Sequence, residues 1–158
     1  MKLPCIGALA LAAALSLPAA AQTGPTATDM QILAQKVKAD KKLLVAVNMQ
    51  LTDAEAKGFW PVYEGYQRDL EAIDARLLRM IAAYAEAYNG GPVPNDTAKQ
   101  LLDEYLGVEQ DEVKLKRSYV PRLSEVLPGA KVARYVQVET KIRAIVRYEL
   151  AAQIPLVQ

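Results

Sequence analysis

The side chains able to do chemistry in this chain are carboxylates: its 158 residues include 18 acids, no histidine and a single cysteine, Cys5. Histidine is the usual general base near neutral pH and the commonest metal ligand, so its absence removes most acid–base and metal chemistry. Ser118 and Ser124 have no base beside them in the sequence to activate a hydroxyl. What remains is the acidic group Asp103, Glu104, Glu109, Asp111 and Glu112. Such a group could supply the two carboxylates of a glycosidase or the oxygen ligands of a hard cation. At helical spacing, however, these acids fall mostly on the exposed arc of one helix, and no glycine-rich loop lies near them. The reading is therefore of a protein that is not an enzyme, with no catalytic residue, no metal site and no cofactor.

Two other constellations point to binding. Phe59, Trp60, Tyr63 and Tyr66 gather the only Phe and the only Trp of the chain beside two of its eight tyrosines. Aromatic residues are enriched at binding hot spots, and Tyr joins an apolar ring to a polar tip. The same spacing suits a plug that packs a helix bend or a dimer core. Arg134, Lys141, Arg143 and Arg147, with Lys114, Lys116, Arg117 and Arg122, could form a basic strip for acidic clients, a sensor domain or anionic lipid head groups. They could equally be a helix face paired with the acids of the preceding helix. The 19 basic and 18 acidic residues nearly cancel, so no bulk field is available to hold nucleic acid.

These residues must be carried by helices. Residues 1–21 read as a signal peptide: Lys2, an apolar run from Ile6 to Leu17, and Ala19-Ala20-Ala21 before Gln22. Kept uncleaved, the stretch from Leu3 to Ala21 is just long enough to span a bilayer and would act as an anchor. Residues 22–28 read as a flexible tether, and 29–158 as a single helical domain in which apolar residues recur at three and four. The fold class expected is all-α, four long helices in antiparallel hairpins with proline kinks. The first spans 29–49, opens at Thr28 or Asp29 and places Met30, Leu33, Val37, Leu44 and Val47 on one side; its β-branched tail, Leu43 to Val47, also suits an extended strand. The second, 53–88, steps through Phe59, Tyr63, Tyr66, Leu70, Ile73, Leu77, Met80 and Tyr84 at coiled-coil spacing. Thr52 and Glu55 form a capping box at its start, and Pro61 is expected to bend it. The third, 95–127, is capped by Asn95 or Asp96 and kinked at Pro121. Its broad apolar face joins Leu101, Tyr105, Val108, Leu115 and Tyr119 to Leu102, Leu106, Val113, Val120 and Leu123. The fourth, 129–153, carries Tyr135, Val138, Ile142, Ile145 and Ala152.

The run Leu51-Thr52-Asp53-Ala54-Glu55, opening a long helix, resembles the motif of the LTXXQ family, the Spy/CpxP group of periplasmic stress proteins. A second, looser likeness is Leu127-Pro128-Gly129-Ala130-Lys131 before the last helix. Glu55 stands where the family has Gln, and Pro128 and Lys131 stand where it has Thr and Gln. The resemblance implies a thin, curved, antiparallel helical homodimer acting without ATP as a chaperone or as a modulator of envelope-stress sensors. The metal-sensing function of some relatives uses histidines and is not implied here.

The sequence thus points to a periplasmic, chaperone-like binding protein that shields unfolded or partly folded envelope proteins. Its partner contacts are expected among Phe59, Trp60, Tyr63, Tyr66, Arg134, Arg143 and Arg147, with Leu51, Thr52 and Glu55 as the helix-cap motif. The alternative is a modulator docking on one stress-sensor domain, and a weaker one is a carboxylate enzyme. No nucleic acid and no stable membrane span after signal cleavage are expected.

Overall fold

The computed structural model describes residues 41–158. The expected signal peptide, the tether and the first helix as far as residue 40, with Met30, Leu33 and Val37, lie outside the described residues. Those described form four helices and no strand: α1 over 41–49, α2 Asp53–Asn89, α3 Asn95–Ser124 and α4 Gly129–Gln153. The run from Leu43 to Val47, compatible by residue type with helix or strand, is helical, because Lys41, Val45 and Met49 recur every four residues and are all buried. Leu44 and Val47, the expected inner positions, are exposed instead.

At the start of α2 the Thr52 hydroxyl accepts from the Glu55 N–H at 3.3 Å, while the Glu55 carboxylate accepts from the Thr52 N–H at 2.8 Å. Two backbone donors of the first turn and cap are thereby satisfied. The α2–α3 turn uses Gly91 at φ +127°, a backbone angle that excludes most side chains.

Helical structure runs unbroken through Pro61 and Pro121; both prolines are exposed, as are Lys57 and Arg117, whose carbonyls lose the bond, so water can take it. Two local expectations are corrected. Neither Asn95 nor Asp96 caps α3. Pro94 holds the cap position at φ −60° and its carbonyl starts the helix by accepting from Ala98 N at 2.9 Å. Finally, α3 ends at Ser124; Leu127 N bonds back to Leu123 O, and Leu127 is buried under the turn.

The hairpins are antiparallel. The start of α2 lies against the end of α3, where a Cβ on Gly58 would come within 2.9 Å of Val126, and further along Tyr66 meets Tyr119 and Arg76 meets Glu104. Along α4, Arg143 reaches Glu112 and Arg147 reaches Glu109 in the opposite chain direction. The main core joins Val45 and Met49 of α1 to Phe59, Tyr63, Tyr66 and Leu70 of α2, to Tyr119 and Leu123 of α3, and to Val132, Tyr135 and Ile142 of α4. A smaller cluster at the other end centres on Ile81 and Leu150. On α4 the buried line is Val132, Tyr135, Glu139, Ile142 and Leu150; Ile145 and Ala152, expected inside, are outside.

Candidate binding surface

Tyr135 is the hub of the aromatic residues, with its ring 5.2 Å from Phe59 and 6.1 Å from both Tyr63 and Tyr66, all near edge-on. Tyr66 continues the chain of rings to Tyr119 at 5.4 Å. Edge-to-face pairs of this kind add to the burial of each ring. Phe59, Tyr63 and Tyr66 are thus inside the folded chain, at 4% exposure or less. Trp60 is half-buried, edge-on to Phe59 and Tyr63, with the Lys42 ammonium 5.2 Å from its ring. Burial pushes the Tyr63 hydroxyl up to about 12, helped by Glu139 and Glu64. It pushes Tyr66 and Tyr135 higher still.

The carboxylates are engaged by arginines. Arg76 forks onto Glu104 at 2.5 and 2.9 Å and reaches Asp111 at 2.7 Å. Arg143 binds Glu112 and Asp74 at once, and Arg147 donates to Glu109 at 2.6 Å and pairs with Glu112. Glu104 is held below the usual carboxylate range by its bonds to Arg76, and Glu109 by Arg147 and then the Tyr105 hydroxyl. Burial opposes the Arg143 charge, but Asp74 and Glu112 outweigh it and raise its pKa. A carboxylate held ionised by an arginine is a poor general acid. Asp103 is exposed, and no group of three or more acids among the described residues is arranged to hold a metal ion.

Two of the three arginines singled out from the sequence, Arg143 and Arg147, therefore serve the α2–α3–α4 seam, and Arg134 is exposed. The helix-cap motif also reaches across the bundle. Lys131 donates to the Glu55 carboxylate at 2.5 Å and to the Gln50 carbonyl at 3.1 Å. Leu51 packs against the main core.

The fold leaves several large apolar side chains outside. Half of the broad face of α3 closes the core through Val108, Tyr119 and Leu123, and the other half, Leu102, Leu106, Val113 and Val120, is exposed. Leu43, Leu44 and Val47 on α1 and Ile145 and Tyr148 on α4 are exposed as well, the last at 76%. The sequence placed the α3 residues on a helix but took them all for one inner face. The signal that could have separated them is the offset of about 100° between the two lines, with the buried Glu112 on the inner one. By contrast, the cavity beside Tyr84, Tyr88 and Ile154 holds about 10 Å³, room for one water.

No protein family, curated protein or solved structure matches this chain. Among its described residues no helix is long and apolar enough to cross a membrane. The surface must therefore be judged on its own chemistry. It consists of unpartnered Leu, Val, Ile and Tyr side chains on a scaffold in which Glu104, Glu109, Asp111 and Glu112 are tied to arginines.

Proposed function

We propose that this protein is a periplasmic, ATP-independent, chaperone-like binding protein that works as a homodimer and shields apolar segments of unfolded envelope proteins. The observation that carries the reading is the ordered exposure of large apolar side chains on α3 and on α1 and α4, in a fold whose own core is already closed. Contiguous exposed apolar residues mark interaction surfaces, whereas singly scattered ones do not. The signal-like N terminus and the resemblance to the Spy/CpxP group support export and the stress role. Burial of Phe59, Tyr63 and Tyr66 moves the expected contacts from those rings to the exposed Leu, Val, Ile and Tyr148 side chains. The pairing of Arg143 and Arg147 takes two arginines out of the basic strip that docking on a single sensor would use.

The test is an aggregation assay with the purified protein, no nucleotide, and two chemically unlike unfolding clients. Suppression of both at stoichiometric amounts is expected, and it should persist at about 0.5 M salt, because apolar contacts are not screened. Suppression of neither overturns the reading; loss in salt transfers it to a charge-led modulator.

A further inference from the structure

Helix α1 is turned against the apolar pattern of its own sequence. Its outward side carries Leu43, Leu44 and Val47 at 67, 47 and 66% exposure, while Lys41 is buried at 7% in line with Val45 and Met49 at 0%. The three outward residues lie about 100 to 160° from Val45 round the helix, so they form a separate face, and it is the more apolar of the two. Apolar burial by itself favours the rotation that takes two leucines and a valine inside and gives the lysine to water. Some other interaction holds the observed rotation.

That interaction is at Glu139 on α4, which is 1% exposed. The cation paired with it is Lys41, and the Gln67 amide of α2 donates to its second oxygen at 3.5 Å. A carboxylate shut away from water is tolerated when it is paired, so turning Lys41 outward strands a buried charge. A single buried polar partner can fix how one helix sits on another even where it adds little stability. Lys42 supports the same rotation from the surface, bonding Glu64 at 2.9 Å and lying 5.2 Å from the Trp60 ring centre. Both side chains of that ion pair are 56% exposed, and exposed pairs hold weakly.

We propose that the buried Lys41–Glu139 pair is a positioning device that sets the rotation of α1 and so keeps Leu43, Leu44 and Val47 at the surface. Glu139 acts here through Lys41 alone. What the outward face then does rests on the reading of the protein as a binder of apolar client segments.

The experiment uses the purified protein with Cys5, where retained, replaced by Ser, and one cysteine introduced by Leu44→Cys or by Val45→Cys. Maleimide should modify Leu44→Cys at least about tenfold faster than Val45→Cys. Glu139→Leu removes the anchor of Lys41 and should invert that order at unchanged helix content, as α1 rolls Lys41 out and position 44 in. Adding Lys41→Leu to Glu139→Leu should restore the first order, since no charge is left to turn outward and the Lys42 contacts then decide. An order unchanged by Glu139→Leu overturns the proposal. So does rapid labelling of both positions with loss of helix, because α1 is then released and not turned, and so does a double variant that fails to restore the order. If Glu139→Leu does not fold, Glu139→Gln, which keeps the shape and removes the charge, is read in the same way. In the aggregation assay Glu139→Leu should lose part of the suppression and the double variant should regain it. Inverted labelling with undiminished suppression upholds the positioning role and takes this face away from clients. A parent protein that suppresses nothing fails the chaperone reading alone and leaves the labelling test intact.

Discussion

Tyr66 carries the one buried side-chain polar atom without a hydrogen-bond partner among the described residues, its hydroxyl. Its ring packs between Tyr119 and Tyr135, so the aromatic body is worth far more to the core than the oxygen. An unpaired buried hydroxyl has given up water for nothing, a cost of about 1–3 kcal/mol. Tyr66→Phe should therefore be neutral or stabilising in urea unfolding. Tyr119→Phe should cost about 1 kcal/mol, because that hydroxyl donates to Asp69 at 2.5 Å. If both substitutions cost the same, Tyr66 has a partner that the fold does not display. That Tyr66 belongs to a helical seam is legible from its spacing; that its oxygen is stranded depends on which groups two other helices bring to it.

At the scale of elements, α2 begins where Thr52 and Glu55 say it does, because a capping box is satisfied within four residues and needs nothing from the rest of the chain. Thr52→Ala should lower stability by about 1 kcal/mol, measured by thermal or urea unfolding; no loss would mean that the Glu55 carboxylate, anchored by Lys131, caps the helix alone. The Glu55–Lys131 pair was not legible. The two residues lie 76 positions apart and meet only because the starts of α2 and α4 come together. It holds the Glu55 carboxyl below its ordinary range, first through the Lys131 bond and then through the Thr52 N–H. Helices α2 and α3 run through Pro61 and Pro121 without a break. A proline removes one backbone donor, and when the orphaned carbonyl faces water the helix can continue past it.

For the whole molecule, the titratable groups set a pH profile. With no histidine in the chain, stability should be nearly flat from about pH 6 to 8. Glu55, Glu104 and Glu109 have lowered pKa values in the fold. The unfolded chain binds protons first as pH falls, so their contribution is complete above the ordinary carboxylate range and is lost below it. Tyr63 is shifted the other way, from 10 to about 12. Its contribution is complete below pH 10 and is lost as pH rises toward 12, when the unfolded tyrosine ionises first. Helix circular dichroism should therefore show a plateau with an acid and an alkaline limb, and the tyrosinate absorbance beyond that of the exposed tyrosines such as Tyr148 should appear together with the alkaline loss. Tyrosinate in excess of the exposed tyrosines forming well before helix loss would mean that the tyrosine core is open to water.

The sequence by itself determined the helical class, the segment order, the capping box and the absence of histidine chemistry, since each depends on residue type and on neighbours within a turn or two. Tertiary structure decided which half of the apolar face of α3 is core, where Arg143 and Arg147 spend their charges, and that Glu139 and Leu150 rather than Ile145 and Ala152 face inward on α4. Periodicity states that residues share a face of one helix but is silent on which face a neighbouring helix will cover. A buried acid such as Glu139 reads as surface until Lys41, from 98 residues away, arrives to pair with it. Long-range pairing, not local pattern, therefore separated the core from the surface left for binding.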